Sequence, residues 1–488
     1  MNNRIPTATL LAFIVLAFLL PVGTQAAEET LDYLYAPQLN ERQQYLFDRV
    51  VTHARNSEYE YALELSDNLL QQADALRQSS PATYGELMVN QGIILSASGE
   101  HENGLQYIDR GLEYMEQASN PFSRRLISAV MAKAITELNL DRLSPAEDSF
   151  RRAQHITHRQ NGVYNADQLS MIHYLTTTML KQHDPAAADT QQLFSLRVAE
   201  NVYGPDSIEL LPTLDRLGGY FATRGSAIPL MMPTDIRLER DALFKQSISM
   251  YQRSVGIIEQ HFGENDLRLV QPLRGLASAR MLQITNRKYA EAALERSLGI
   301  VNSNPQSDVT DRAQALIDLG DLYVIIADRR SSEVYLKAWQ MLQETDETTS
   351  LSHNLFGTPT RLFPREDPML YLDRQPDDVA PGDPLFVNLE YSVTPQGTVT
   401  QVRVVEKNVP NEQVRVLRQR IRSAKFRPRI QEGELMATEG LTLYQPFRVI
   451  RFSSSAQKIE ESQGDAPDGN EDSVEPMPES AVADDELL

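Results

Sequence analysis

The chain has 488 residues, 41% of them hydrophobic, a formal net charge of −21 and no cysteine. That is long enough to bury a sizeable apolar core in more than one domain. The missing thiols exclude disulfides, thiol catalysis, cysteine-based zinc sites and a lipoprotein anchor. The acidic balance opposes binding to nucleic acid or to an anionic membrane surface.

At the N-terminus, Arg4 precedes a mostly apolar run from Ala8 to Leu20 that stops at Pro21. Thr24-Gln25-Ala26 then places small residues at the −3 and −1 positions of a cleavage site, and Glu28 and Glu29 follow. This layout predicts a secretory signal peptide over residues 1–26. An uncleaved anchor needs roughly 20 apolar residues, and this run is shorter and broken by proline.

Residues 27–350 read as helices. From about Asn40 to Glu344, apolar residues recur every three or four positions between short polar or Gly/Pro breaks. Tyr45, Leu46, Arg49 and Val50 begin one face; Tyr61, Leu65, Leu69 and Leu76 continue it on the next helix. Small residues suited to close helix contact fall at Ala62, Gly104, Ala146 and Ala188, 42 residues apart, and then near Ala242, Ala292 and Ser331. About seven helix pairs follow from this spacing, and a fixed period of this size marks a solenoid. Phe221–Arg240, with Gly225, Pro229 and Pro233, reads as an insertion within one pair. Leu319-Gly320-x-x-Tyr323 and Ala146-x-x-x-Phe150 reproduce the first- and second-helix signatures of tetratricopeptide repeats. Val202-Tyr203-Gly204-Pro205-Asp206 and His261-Phe262-Gly263-Glu264-Asn265-Asp266 each place glycine where a left-handed C-cap is wanted. These segments resemble the long repeats of the kinesin light chain type, which implies the fold and not that cargo.

Residues 351–384 carry six prolines and few periodic apolar positions, and read as an extended connector. Its Leu355, Phe356, Leu362, Phe363, Leu370 and Tyr371 are candidates to dock it on the solenoid end. Residues 385–452 switch to a two-residue period. Val387, Leu389, Tyr391 and Val393 alternate as a half-buried strand. A turn at Pro395–Thr398 follows, then a partner strand to Glu406, an amphipathic helix with Val414, Leu417 and Ile421 on one stripe, and a last strand through Phe447. The order is β-β-α-β, a small α+β domain behind a mostly α solenoid. Residues 453–488 hold eleven acids and one lysine, and have the composition of a disordered tail.

Four landmarks stand in order along this small domain: Gln396-Gly397-Thr398-Val399, Val402-Arg403-Val404-Val405, Lys425-Phe426-Arg427-Pro428 and Pro446-Phe447-Arg448-Val449. They resemble the C-terminal domain of TonB. The resemblance covers about a seventh of the chain, and implies a periplasmic protein of a Gram-negative bacterium that contacts short segments of outer-membrane receptors. A TonB energy transducer also keeps its N-terminal helix in the membrane, with a polar motif in it, and carries a Pro-rich periplasmic spacer. Here Ala8–Leu20 has no Ser/His pair and a helical body replaces the spacer.

Eleven Lys/Arg against six acids make residues 385–452 the one basic module of the chain. Arg415, Arg418 and Arg422 share one helix face with Lys425 nearby, a candidate surface for an acidic protein segment or an anionic cell-wall polymer. No catalytic, metal or cofactor site is expected. His155-x-x-His158 is the one close histidine pair, and no P-loop, G-x-S-x-G or H-E-x-x-H occurs. These features predict an exported, non-enzymatic protein–protein scaffold. The alternative is an inner-membrane-anchored energy transducer serving outer-membrane transport.

Overall fold

The computed structural model describes residues 30–228, 234–283, 287–363, 370–372, 374–376, 378–380 and 382–449. The segment read as a signal peptide and the acidic tail lie outside these residues. The chain divides into two compact units, Met1–Leu322 and Tyr323–Leu488.

The first unit is a stack of helix hairpins, a solenoid of tetratricopeptide-like pairs. α1 (Glu41–Arg55) packs with α2 (Tyr59–Gln72), α3 (Pro81–Ala97) with α4 (His101–Gln117), and α5 (Ile127–Asn139) with α6 (Leu143–Asn161). The series continues with α7 (Gln168–Lys181) and α8 (Pro185–Tyr203), α9 (Leu211–Ala227) and α10 (Thr234–Phe262), and α11 (Val270–Leu282) and α12 (Arg287–Ser303). α13 (Val309–Ile325) ends the unit.

One turn closes each of the first four hairpins. Ser57, Gly99, Asp141 and His183, 42 residues apart, sit at φ 62°, 95°, 58° and 61°. The amide after each donates back across the helix end: Glu58 to His53, Glu100 to Leu95, Arg142 to Glu137 and Asp184 to Met179, all at 2.9 Å. This bond between the third residue past the helix and its third-last carbonyl satisfies orphan carbonyls in one tight turn. Five residues on come Ala62, Gly104, Ala146 and Ala188, all buried, as the spacing predicts.

Between pairs, Gly162, Gly204 and Gly263 donate to the carbonyl four residues back at 2.9–3.0 Å. Gly204 has φ 95° and ψ 153°, so it adopts the extended positive-φ region and not the left-handed cap expected for it. That region is essentially closed to residues with a Cβ.

The period breaks between Gly204 and Gly263, which stand 59 residues apart, 17 more than the repeat. The excess falls around the α9–α10 connection and in α10, which runs 29 residues. Beyond Ala188 the period drifts, and two of the three later positions read from the sequence miss the buried contact. Ala242 is exposed, and Ser247 and Ser254 are the buried serines of α10, the Ser247 hydroxyl donating to the Gly218 carbonyl at 2.7 Å. In α12, Ala290 is buried while Ala292 is exposed; Ser331 is buried as expected. On α1 the buried face is Phe47, Val50 and Ala54, and Tyr45 is 64% exposed.

The tightest contact joins α3 to α4. Gly85 faces Gly111 and Gly92 faces Gly104. A Cβ added at any of the four would lie 2.5–2.7 Å from the opposing glycine's carbonyl oxygen. The two backbones therefore touch directly. α3 is buried on nearly every side, with Val89, Ile93 and Ile94 at its centre. Farther along, the Tyr251 ring is wedged between Gly218 and Gly275, where a Cβ would meet it at 2.6 and 2.4 Å. Phe150, buried as the repeat signature requires, stacks on Tyr174 of the next pair at 5.2 Å and shares its core cluster with the buried Ala146.

The second unit continues α13 into α14 (Arg330–Met341) and α15 (Asp346–Phe356). Leu319, Gly320 and Tyr323 are buried on α13, and the Arg330 guanidinium lies 4.1 Å from the Tyr323 ring and donates to its hydroxyl at 3.0 Å. The segment read as a connector holds most of α15 and two strands, β1 (Thr360–Phe363) and β2 (Leu370–Leu372). Phe356 is fully buried with its ring edge-on to Tyr335 at 5.9 Å.

β3 (Leu385–Val393), β4 (Val399–Lys407), α16 (Asn411–Ser423) and β8 (Thr438–Val449) supply the expected β-β-α-β order. Short β5 (Lys425–Arg427), β6 (Arg429–Gln431) and β7 (Glu434–Met436) lie between α16 and β8. The sheet order is β2-β8-β3-β4, all antiparallel except that β2 runs parallel to the end of β8. The sheet is thus four-stranded, and β2 covers an edge that three strands would leave open. Val414, Leu417 and Ile421 of α16 close one core with Val387, Leu389, Phe426 and Phe447. Gly397 sits at φ 73°, and the Phe426 amide donates to its carbonyl at 2.9 Å. That bond ties the β3–β4 turn to the corner formed by Phe426 and Pro428, both buried.

Replacing Gly92 by Ala raises helix propensity by about 1 kcal/mol yet drives a Cβ into the Gly104 carbonyl. We expect a net loss of about 1–3 kcal/mol in urea unfolding. An unchanged midpoint would mean that the α3–α4 backbones are not in contact.

Candidate functional site

The first unit already holds a non-helical piece of its own main chain. Residues 34–40 form neither helix nor strand, and Tyr35 among them bonds to α3 and to the start of α5. The buried amide of Asn90 grips this segment on both sides of one residue. Its Oδ1 accepts from the Tyr35 N–H at 2.8 Å, and its Nδ2 donates to the Tyr35 carbonyl at 3.0 Å. One side-chain amide thus replaces a β-strand partner, and it reads the backbone without regard to side-chain identity.

The Tyr35 side chain adds a second anchor. Its hydroxyl donates to the Arg125 carbonyl at 2.5 Å and accepts from the Ala129 N–H at 2.8 Å. Ala129 lies in the first turn of α5, where amides have no helical partner, so the phenol acts as a cap supplied from outside. Burial pushes this phenol far above its usual range. Beside it the Arg125 guanidinium is paired with the buried Glu86 carboxylate, which raises its own affinity for a proton. Thr30, Leu31 and Pro37 are buried around the grip, and Leu31 joins the core that contains Val89, Ile93, Leu126 and Val130. Sequence reasoning passed over this cradle. Its signal is the polar set Glu86 and Asn90 inside an otherwise apolar helix, and the run Tyr33-x-Tyr35-x-Pro37 just after the leader.

In the second unit the basic residues are brought together only in part. Arg415, Arg418 and Arg422 line a groove of about 440 Å³ between α16 and the outer edge of β4, together with Val404, Lys407 and Val414. Lys425 is outside it, on β5, paired with β1. Arg415 is exposed and its guanidinium stands 3.5 Å from Glu412. Arg418 is half-buried. One of its terminal nitrogens donates to the Val402 carbonyl at 3.3 Å, while its buried Nε has no partner among the described residues. β4 is the last strand of its sheet, but it carries two bulges, around Gln401 and at Val405. Bulges blunt an edge against strand addition, so charge dominates what this groove offers.

His158 and His155 do not converge: His158 bonds Gln168, and the His155 ring rests on Phe122 at 5.5 Å. Among the described residues, no three His, Asp or Glu side chains are placed to hold a metal, and no helix is long and apolar enough to cross a membrane.

No family model and no curated protein sequence matches the chain. Among solved structures, it is similar to BtubC (BKLC) from P. vanneervenii, with 15% identity over 51% of this chain and 96% of that one and a TM-score of 0.36. It is also similar to a kinesin light chain with nearly identical TPR-like repeats from Podosopora anserina, at 13% identity over 48% and 99%, TM-score 0.34. A third is the apo form of the quorum sensor NprR from B. thuringiensis, at 10% identity over 62% and 87%, TM-score 0.31. All carry helical repeats of the tetratricopeptide kind. At these identities and scores, nothing about function passes from them to this chain.

One half-buried carboxyl in the first unit makes stability depend on pH. Asp215 on α9 accepts from the Ser254 hydroxyl at 3.1 Å and pairs with no cation among the described residues; burial raises it to about 6. A carboxyl held above its unfolded value binds its proton more tightly when folded, so its contribution is best at low pH and is lost as pH rises from about 4 to 6. Asp215→Asn should therefore stabilise the chain at pH 8 by about 1–3 kcal/mol, with the gain vanishing near pH 4. Chemical unfolding at both pH values checks this, and an equal effect at both would contradict it.

Proposed function

We propose that the chain is an exported protein–protein interaction scaffold with no catalytic role. Its helical repeats grip extended segments of partner proteins, and its small C-terminal domain is a second binding module. The observation that carries this reading is the pair of hydrogen bonds between the Asn90 side-chain amide and the backbone of Tyr35. A side chain that satisfies both polar groups of a residue from another segment is the chemistry of peptide recognition, here applied to the chain's own segment.

Export rests on the leader pattern ending at Ala26, and the periplasm is the compartment that the pattern and the TonB-like landmarks favour together. From the order of its elements and its four sequence landmarks, we read the C-terminal module as a TonB-like binding domain freed from energy transduction. A transducer would have to keep Ala8–Leu20 in the inner membrane. Its partners are protein or peptide segments, including those of outer-membrane receptors. Nucleic acid is disfavoured by the charge of the chain.

The intact mass of the protein purified from its native host separates these roles. We expect a periplasmic species beginning at Ala27. A membrane-bound species with residues 1–26 attached would overturn the scaffold reading in favour of the transducer.

A further inference from the structure

We propose that the groove between α16 and the β4 edge is a receptor for an extended, carboxylate-rich segment, and that its occupant is the chain's own acidic tail, Ser453–Leu488. The groove presents four cations, Lys407, Arg415, Arg418 and Arg422, over an apolar floor of Val404 and Val414. Lys407 already donates to the Asn411 side chain, but three features leave the arginines available. Arg422 is exposed and makes no ion pair among the described residues. Arg415 meets only Glu412, at 3.5 Å and with both side chains about three-quarters exposed, a pairing that contributes little. Arg418 keeps a buried Nε without a partner among the described residues, and an unpartnered buried donor is costly until an acceptor reaches it.

The tail matches this groove in charge, place and length. It holds eleven carboxylates and one lysine, against the excess of positive charge in residues 385–452. Register fixes where it sets out. Phe447 pairs with Leu385, and Val387 pairs with Lys407, so the end of β8, the start of β3 and the end of β4 share one end of the sheet. Lys407 opens the groove at that end. Crossing from β8 past β3 and β4 to the next lane takes three strand spacings, roughly 14 Å, which about five extended residues span. The first acids, Glu460 and Glu461, follow eleven and twelve residues after Val449. The two bulges of β4 limit ladder pairing, so carboxylate–guanidinium contacts carry the recognition. Tethering keeps the tail at high effective concentration, and any acidic partner must displace it.

Zero-length carbodiimide coupling joins a lysine amine only to a carboxylate in contact with it, and tests this on the full chain. In low salt, we expect an intrachain bond between Lys407 and an acid of Glu460–Asp472. It should fall roughly fivefold in Arg415→Gln/Arg422→Gln, and likewise in roughly 0.5 M salt, where exposed charges are screened within a few ångströms. Circular dichroism verifies that the variant is folded. Mixing isotopically labelled and unlabelled chains separates coupling within a chain from coupling between chains. The proposal is overturned if Lys407 does not couple to the tail, if the coupling joins different chains, or if its yield ignores both salt and the arginine replacements.

Discussion

The first unit depends on direct contact between the backbones of paired helices. Gly85, Gly92, Gly104 and Gly111 let α3 and α4 meet where no side chain intervenes. Along the same seam Met115 and Ile108 of α4 pack onto Gly85 and Gly92, and Val89 of α3 packs onto Gly111. The outcome is a helix, α3, buried on almost all sides. Its polar residues then have to find partners inside the unit, because a buried polar group without one is expensive. Asn90 finds Tyr35, Glu86 finds Arg125, and Gln91 finds Asp67.

That requirement links packing to function. A polar side chain set in a packed helix cannot relax far, so Asn90 offers its amide in a fixed orientation. A fixed amide suits a backbone, whose N–H and C=O alternate at constant spacing, better than it suits any particular side chain. In the second unit the same logic runs through charge. Val414, Leu417 and Ile421 commit one face of α16 to the core, and 3.6-residue periodicity leaves the arginines together on the other.

Much of this was legible in the sequence. The 42-residue recurrence of Ala62, Gly104, Ala146 and Ala188 located four hairpins, and alternation with the turn at Gly397 located β3 and β4. What failed did so for identifiable reasons. Ser57, Asp141 and His183 hold the same positive-φ turn as Gly99, but residues with a side chain do not announce that conformation. Ala242 and Ala292 lie beyond the insertion at Phe221–Arg240, where no fixed period remains to choose among neighbouring small residues. β2 was invisible because three residues carry no period, and its pairing with β8 is decided by distant sequence. The Arg415–Arg418–Arg422 row was readable from helical spacing, whereas its facing strand edge was not, since β4's position at the end of the sheet is a matter of topology. The Tyr35 cradle needed two segments 55 residues apart to be seen together.

The central claim is that the helical unit grips main chain through Asn90. Amide hydrogen exchange on the full chain, wild type against Asn90→Ala, tests it most directly. The account expects the Tyr35 amide to be protected in the wild type and to exchange at least tenfold faster in the variant, in line with about 1.4 kcal/mol for one hydrogen bond, while the interiors of α3 and α4 keep their protection. A Tyr35 amide that exchanges freely in the wild type, or one equally protected in both proteins, would contradict it.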